Sequence, residues 1–85
     1  AIEAEFYWRW GTCWSAIGRF SGEPLDFFKA IEKYRKGTEL GCLHPLFFLD
    51  YGDTLCDLAS LVERPELFRE ALAIFNQTVE KEPQS

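Results

Sequence analysis

The sequence has little of what enzymes and metalloproteins use for chemistry. Its 85 residues include one histidine, three cysteines without CxxC spacing, and no glycine-rich phosphate loop. The neighbouring Cys42 and His44 do not supply the four ligands of a structural zinc site. We therefore expect no catalysis, no metal and no cofactor. His44 precedes Pro45, and we expect it to serve in a turn or as a helix cap.

Long hydrophobic runs are also missing. The longest apolar stretch, residues 43–49, is far shorter than the roughly 20 residues of a membrane-spanning helix, so we expect no membrane insertion. There is no methionine and no signal-peptide pattern, and we interpret the chain as part of a longer protein. We expect the three cysteines to be buried or half-buried free thiols. Free thiols favour a reducing compartment, which predicts a cytoplasmic location.

Positive charge is in the minority. Nine Lys and Arg stand against 14 Asp and Glu, which gives a net charge of −5. Nucleic-acid binding needs a basic surface, and Trp8-Arg9-Trp10 alone does not provide one, so we expect no nucleic-acid partner. Residues 43–85 hold three basic and eight acidic side chains. This half of the chain therefore favours a partner with basic residues.

Apolar and aromatic residues, in contrast, are abundant. They make up 47% and 16% of the chain, and each large side chain that becomes fully buried contributes about 1.5–3 kcal/mol to folding. We therefore predict a single folded domain over residues 1–85.

The sequence aligns with itself without gaps when it is shifted by 41 residues. Six of the 44 aligned pairs are identical. They are Phe6–Phe47, Gly11–Gly52, Pro24–Pro65, Phe27–Phe68, Ala30–Ala71 and Glu39–Glu80. The apolar positions between them also keep their phase. An internal period of this size is typical of helical repeats, and it predicts one repeat at about 3–41 and a second at about 45–82.

Each repeat is predicted to contain two helices, because its apolar residues recur at steps of three and four and no segment alternates with a period of two. In the first helix this stripe consists of Tyr7, Trp10, Trp14 and Ile17 with the small Gly11. Prolines fit the first turn of a helix, and the predicted spans are Glu3–Phe20, Pro24–Glu39, Pro45–Val62 and Pro65–Lys81. Pro83 closes the pattern. Gly11 and Gly52 lie mid-helix at the same phase, which predicts close helix–helix contact.

These residues resemble the tetratricopeptide repeat, whose pattern is W-x2-L-G-x2-Y, then A-x3-F, then P. The matching runs are Tyr7-x2-Trp10-Gly11-x2-Trp14 with Ala30-x3-Tyr34, and Phe48-x2-Tyr51-Gly52-x2-Leu55 with Ala71-x3-Phe75. The usual repeat has 34 residues, and the period here is 41. We expect a longer first helix to account for the additional residues. The first copy is also similar to the Sel-one-like repeat. The resemblance implies an all-α fold of two tandem antiparallel helix-turn-helix repeats, a right-handed α-solenoid fragment.

The resemblance further implies a protein-interaction scaffold that binds a peptide or partner protein in a concave groove lined by the first helix of each repeat. Carried onto this chain, the groove residues are Glu5, Trp8, Arg9, Thr12, Leu49, Asp50, Asp53 and Asp57. The Lys and Asn clamp that some tetratricopeptide domains use for chaperone tails is missing, so we predict no binding to those tails. The alternative function is a structural or self-association spacer, either as a homodimer or stacked on further repeats.

Two of these groove features have a second interpretation. Asp50, Asp53 and Asp57 share one helix face, either as an ordinary solvated face or as an acidic wall for Lys or Arg of a partner. Trp8 is either the aromatic anchor of the groove or a residue that packs on a preceding repeat.

Overall fold

The described part of the chain folds into four helices. The computed structural model describes residues 2–81, which form α1 (Ile2–Ser21), α2 (Pro24–Glu39), α3 (Pro45–Val62) and α4 (Pro65–Lys81). No strand occurs in this part of the chain, which confirms the all-α prediction. Every boundary lies within one residue of its predicted position. Pro83 lies outside the described residues.

Proline and left-handed backbone positions set the helix ends. Pro24, Pro45 and Pro65 each open a helix, where the missing N–H removes no intrahelical bond. Gly22, between α1 and α2, has φ of +72°, a conformation that glycine adopts without strain. At the start of α3, Nδ1 of His44 accepts a hydrogen bond of 3.1 Å from the backbone N–H of Leu46. The predicted capping role of His44 is confirmed.

Glycines bring α1 and α2 together as a helical hairpin. A Cβ added at Gly11 would lie 3.0 Å from the Tyr34 ring, and one added at Gly18 would lie 3.0 Å from the Phe27 ring. In the α3–α4 pair, a Cβ at Gly52 would overlap the ring of Phe75. The predicted close approach at Gly11 and Gly52 is therefore confirmed.

The second hairpin packs on the first mainly through α3 against α2. The Phe47 ring is fully buried and lies against Gly37. Tyr51 stacks on Tyr34 with ring centroids 5.4 Å apart. These rings join the core of both hairpins into one cluster, and they fix α3 at a defined height along α2.

The apolar stripe that we predicted on α1 coincides only in part with its buried face. Trp10 and Ile17 are about half exposed, and the buried residues of α1 are Ala4, Trp8, Gly11, Ser15 and Gly18. Apart from Trp8, these residues are small, because close packing selects small side chains at the contact line and places other large rings at its flank. There Lys33 lies 3.8 Å above the Trp10 ring, a cation–π contact with an exposed aromatic.

The cysteines are all free, but their burial differs. Cys42 is buried, Cys56 is half-buried and Cys13 is exposed. The prediction that all three are at least half buried is therefore wrong for Cys13, because none of the helices described within residues 2–81 covers its side of α1. No helix within residues 2–81 is long and apolar enough to cross a membrane.

Candidate protein-interaction site

A seam of polar contacts joins α1 to α3, the two helices that the sequence assigned to a groove. At its centre, the Oγ atoms of Ser15 and Thr54 lie 2.8 Å apart in a buried hydrogen bond. At one end, Nε of Arg19 contacts Oδ2 of Asp57 at 3.0 Å. Buried hydroxyls that satisfy each other hold a fixed geometry, so this seam sets the register between the two helices.

Trp8 and Asp50 form the other end of the seam. Nε1 of Trp8 donates a hydrogen bond of 2.7 Å to Oδ2 of Asp50. The hydroxyl of Thr12 donates to the same oxygen at 3.4 Å. Trp8 is only 4% exposed, and its ring packs edge-on against Phe47 at 6.2 Å. Neither interpretation of Trp8 holds: it is not an exposed anchor, and it packs on the following hairpin, not on a preceding one.

The acidic column on α3 is largely engaged within the chain. Asp50 binds Trp8 and Thr12, and Asp57 binds Arg19. Asp53 is exposed and has no ion-pair or hydrogen-bond partner among residues 2–81. Of the three carboxylates in the predicted acidic wall, that of Asp53 is the one without a partner among the described residues.

The remaining predicted groove residues lie on the outer surface of the same two helices. Glu5 and Arg9 are exposed on α1, and the Arg9 guanidinium lies 4.4 Å above the Trp8 ring. On α3, Leu49 is 47% exposed. These exposed side chains, Glu5 and Arg9 of α1 with Leu49 and Asp53 of α3, define what we call the α1/α3 face.

Cys56 lies beside this column. Burial raises the pKa of its thiol, and the negative charges of Asp53 and Asp57 raise it further. A thiol with a raised pKa is a poor nucleophile at neutral pH. The half-buried Cys56 therefore has no activated-thiol chemistry. No group of three or more His, Cys, Asp or Glu side chains in the described part of the chain is arranged to hold a metal ion.

The sequence matches no family model, and no curated protein or solved structure is significantly similar to it. The chemistry of its own surfaces is therefore the basis for a functional proposal.

A cleft of about 570 Å³ lies along α2, and none of the predicted groove residues lines it. Its charged side chains are paired. Lys33 contacts Glu32 at 3.8 Å, Lys36 contacts Glu39 at 3.5 Å, and Arg35 contacts Glu70 of α4 at 3.3 Å. Paired charges present little net field to a ligand, so this cleft is a weaker candidate than the α1/α3 face.

The seam itself could not be found from apolar periodicity. Ser15 and Thr54 are polar residues that are 1% and 0% exposed. A signal for them was present in the small residues Ala4, Gly11, Ser15 and Gly18, which recur on one face of α1 at steps of seven, four and three. Small side chains in such a row mark a line of helix contact.

Proposed function

We propose that the chain is a two-repeat scaffold of the tetratricopeptide-like α-solenoid type, and that it binds a segment of a partner protein on its α1/α3 face. The repeat assignment is supported by equivalent contacts at the 41-residue spacing. Gly11 faces Tyr34, and Gly52 faces Phe75. Gly22 and Glu63, also 41 residues apart, both have positive φ. We propose no catalytic role for this surface.

The observation that carries the binding proposal is the set of exposed groups on α1 and α3, the two helices that the polar seam joins. Leu49 offers apolar contact, Asp53 offers an uncompensated carboxylate, and Arg9 offers a cation on the opposite helix. Partners are recognised by such a combination of an apolar contact with flanking charges, which fixes register and orientation. The fitting ligand is a peptide segment with a basic side chain for Asp53, an apolar one for Leu49 and an acidic one for Arg9.

The experiment is a selection of binders from a random peptide library against the whole chain, at a dilute protein concentration. Each selected peptide is then titrated against wild type, against Leu49→Ala/Asp53→Asn and against a matched control. The control is Leu25→Ala/Glu32→Gln, which removes one exposed apolar group and one exposed carboxylate on α2.

We expect the α1/α3 variant to weaken binding by roughly tenfold or more and to reduce its salt dependence, while the control binds as wild type does. Equal affinity for both variants, or a library that yields no binder, contradicts the proposal.

A further inference from the structure

One side of the first hairpin is exposed although the same side of the second hairpin is buried. Shifting by 41 residues pairs Phe6 with Phe47, Trp10 with Tyr51, Cys13 with Thr54 and Ile17 with Leu58. The four α3 residues are buried against the first hairpin, and the four α1 residues are exposed. Phe6 is 66% exposed where Phe47 is 0% exposed. We call the surface of Phe6, Trp10, Cys13 and Ile17 the N-terminal face.

On the opposite side, residues of the second hairpin are exposed where the equivalent residues of the first hairpin are buried. Leu72 is 59% exposed, whereas its equivalent in the first hairpin, Ile31, is 2% exposed beneath the second hairpin. Leu49 and Phe68 are likewise more exposed than their equivalents in the first hairpin, Trp8 and Phe27. We call the surface of Leu49, Phe68 and Leu72, with Phe75 beside them, the C-terminal face.

We propose that a second copy of this chain stacks head to tail on the first, its N-terminal face on the C-terminal face of its neighbour, in the geometry by which α3 packs on the first hairpin. The buried interface between the two hairpins serves as the template for this contact. The N-terminal face is equivalent to the α3 side of that interface, and the C-terminal face is equivalent to the side formed by the first hairpin. A shallow pocket of about 370 Å³ on the N-terminal face, beside Phe6, Trp10 and Cys13, has the size to accept a side chain of the neighbour.

One pair of opposite charges beside the two faces meets in this register. Within the chain, the hydroxyl of Thr12 lies 3.4 Å from a carboxylate oxygen of Asp50. The equivalent pair between two copies is Asp53 of one copy and Arg9 of the next. Both side chains are exposed and carry opposite charge. Opposite charges at an interface fix register and suppress other alignments.

Two cysteines become neighbours in the same register. Ser15 and Thr54 meet within the chain with their Oγ atoms 2.8 Å apart. The equivalent pair between two copies is Cys56 of one and Cys13 of the next. Two side-chain atoms at that spacing allow the Cβ–Cβ distance that a disulfide needs. The cysteines therefore report on head-to-tail stacking.

One position distinguishes this interface from its template. Gly37 receives the Phe47 ring within the chain, where an added Cβ would already lie 3.0 Å from that ring. Thr78 occupies the equivalent position on α4, so Phe6 of the next copy cannot come as close. Stacking between copies is therefore weaker than stacking within the chain, and it increases with protein concentration.

The first experiment mixes two variants of the whole chain, each of which lacks one cysteine. Cys13→Ser and Cys56→Ser are oxidised separately and together with diamide at alkaline pH, which increases the thiolate fraction even of Cys56 with its raised pKa. Each cross-link joins two thiols as a disulfide, and their two protons and two electrons reduce one diamide to its hydrazine. Both variants retain Cys42, so the separate reactions show any cross-link through that residue.

We expect neither variant alone to cross-link, their mixture to give a dimer with one copy of each, and wild type to give a ladder of dimers, trimers and longer species. A head-to-tail contact repeats along a chain of copies, which a two-fold symmetric contact does not. A mixture that cross-links no more than the separate variants overturns the proposal.

The second experiment asks whether the faces drive the contact. Phe6→Ser lies on the N-terminal face and Leu72→Ser on the C-terminal face, and neither residue belongs to the α1/α3 face that is proposed to bind peptide. Leu25→Ser is the matched control, because Leu25 is 62% exposed and its equivalent, Glu66, is exposed as well. All three positions are exposed, so the variants are expected to fold.

We expect each face variant to lower the association constant, measured by titration of unoxidised protein, by roughly tenfold or more, and the control to leave it unchanged. Association that is unaffected by both face variants contradicts the inference. Because stacking would cover Leu49, Asp53 and Arg9, the peptide selection uses the dilute protein concentration given above, so that its outcome tests the proposed function separately.

Discussion

The indole Nε1 of Trp8 donates a 2.7 Å hydrogen bond to Oδ2 of Asp50, and this bond joins the first hairpin to the second across 42 positions of sequence. Trp8 also packs against Phe47, which is fully buried. The contact therefore combines a charge-assisted hydrogen bond with aromatic packing at one point. It stabilises the register of α1 against α3, on which the α1/α3 face depends.

Replacing Trp8 by Phe separates these two contributions. The ring packing on Phe47 is kept, but the half-buried Asp50 loses its main donor and retains Thr12 at 3.4 Å. We expect a loss of about 1–3 kcal/mol in the free energy of unfolding, measured by urea denaturation. Asp53→Asn, on the exposed side of the same helix, should change it by less than about 0.5 kcal/mol. A Trp8→Phe variant as stable as wild type would show that the bond contributes nothing.

The contact between Gly52 and Phe75 predicts that a substitution at one residue destabilises the fold and that a second substitution at the other restores part of the stability. Alanine is favoured over glycine in a helix by about 1 kcal/mol, but a Cβ at position 52 overlaps the Phe75 ring. We expect Gly52→Ala to destabilise the chain by about 1–3 kcal/mol. The shorter side chain of Phe75→Leu should restore part of that loss in the double variant. Thermal unfolding of the single and double variants provides the measurement, and additive effects would argue against the overlap.

At the turns of Gly22 and Glu63, we expect substitutions to change the free energy of unfolding in opposite directions. Both have positive φ, +72° and +54°, which is unstrained for glycine and costs about 1–2 kcal/mol for a residue with a Cβ. We expect Glu63→Gly to raise the free energy of unfolding by up to about 1 kcal/mol and Gly22→Ala to lower it by about 1–2 kcal/mol. Glu63→Ala is the control, since it removes the charge but keeps the Cβ. A gain from Glu63→Ala equal to that from Glu63→Gly would assign the effect to charge.

The buried tyrosines predict a loss of stability in alkali. Burial raises the pKa of Tyr34 and of Tyr51 above its ordinary value. A raised pKa means that the folded state keeps the proton longer than the unfolded state, so this stability is fully present below about pH 10, the ordinary tyrosine pKa. It is lost as the pH rises through the folded-state value.

Urea denaturation at pH steps above neutrality measures this decline, and Tyr51→Phe should flatten it. The variant also loses the 3.3 Å hydrogen bond from the Tyr51 hydroxyl to Glu70, so its stability near neutral pH should be slightly lower. If the stability of the Tyr34→Phe/Tyr51→Phe variant declined with pH as steeply as that of wild type, groups other than these tyrosines would be responsible for the decline.

The helices themselves were predictable because their signals are local. Pro24, Pro45 and Pro65 mark helix starts by their fixed φ and missing N–H, and the repeated phase of Gly11 and Gly52 marked the closest helix contacts. Each of these signals depends on backbone chemistry within one or two turns, and the structure agrees with all of them.

The contacts that the predicted groove residues make within the chain could not be predicted from such local signals. Whether Trp8 points to solvent or to α3 depends on the rotation of one hairpin against the other. That rotation is set by contacts about 40 positions apart in sequence, such as Ser15 with Thr54. Periodicity places Trp8 on a face of α1, but it does not give the neighbour of that face. For the same reason, Asp50 and Asp57 were predicted as partner-facing and are found bonded within the chain.

Sedimentation velocity of the unmodified, reduced chain over a range of concentrations tests most directly the claim that its two ends present matching halves of one stacking interface. The account predicts an average mass that rises with concentration above the 9.9 kDa of one chain and continues past that of a dimer, because a head-to-tail contact does not close. A single species of 9.9 kDa at every concentration would contradict it.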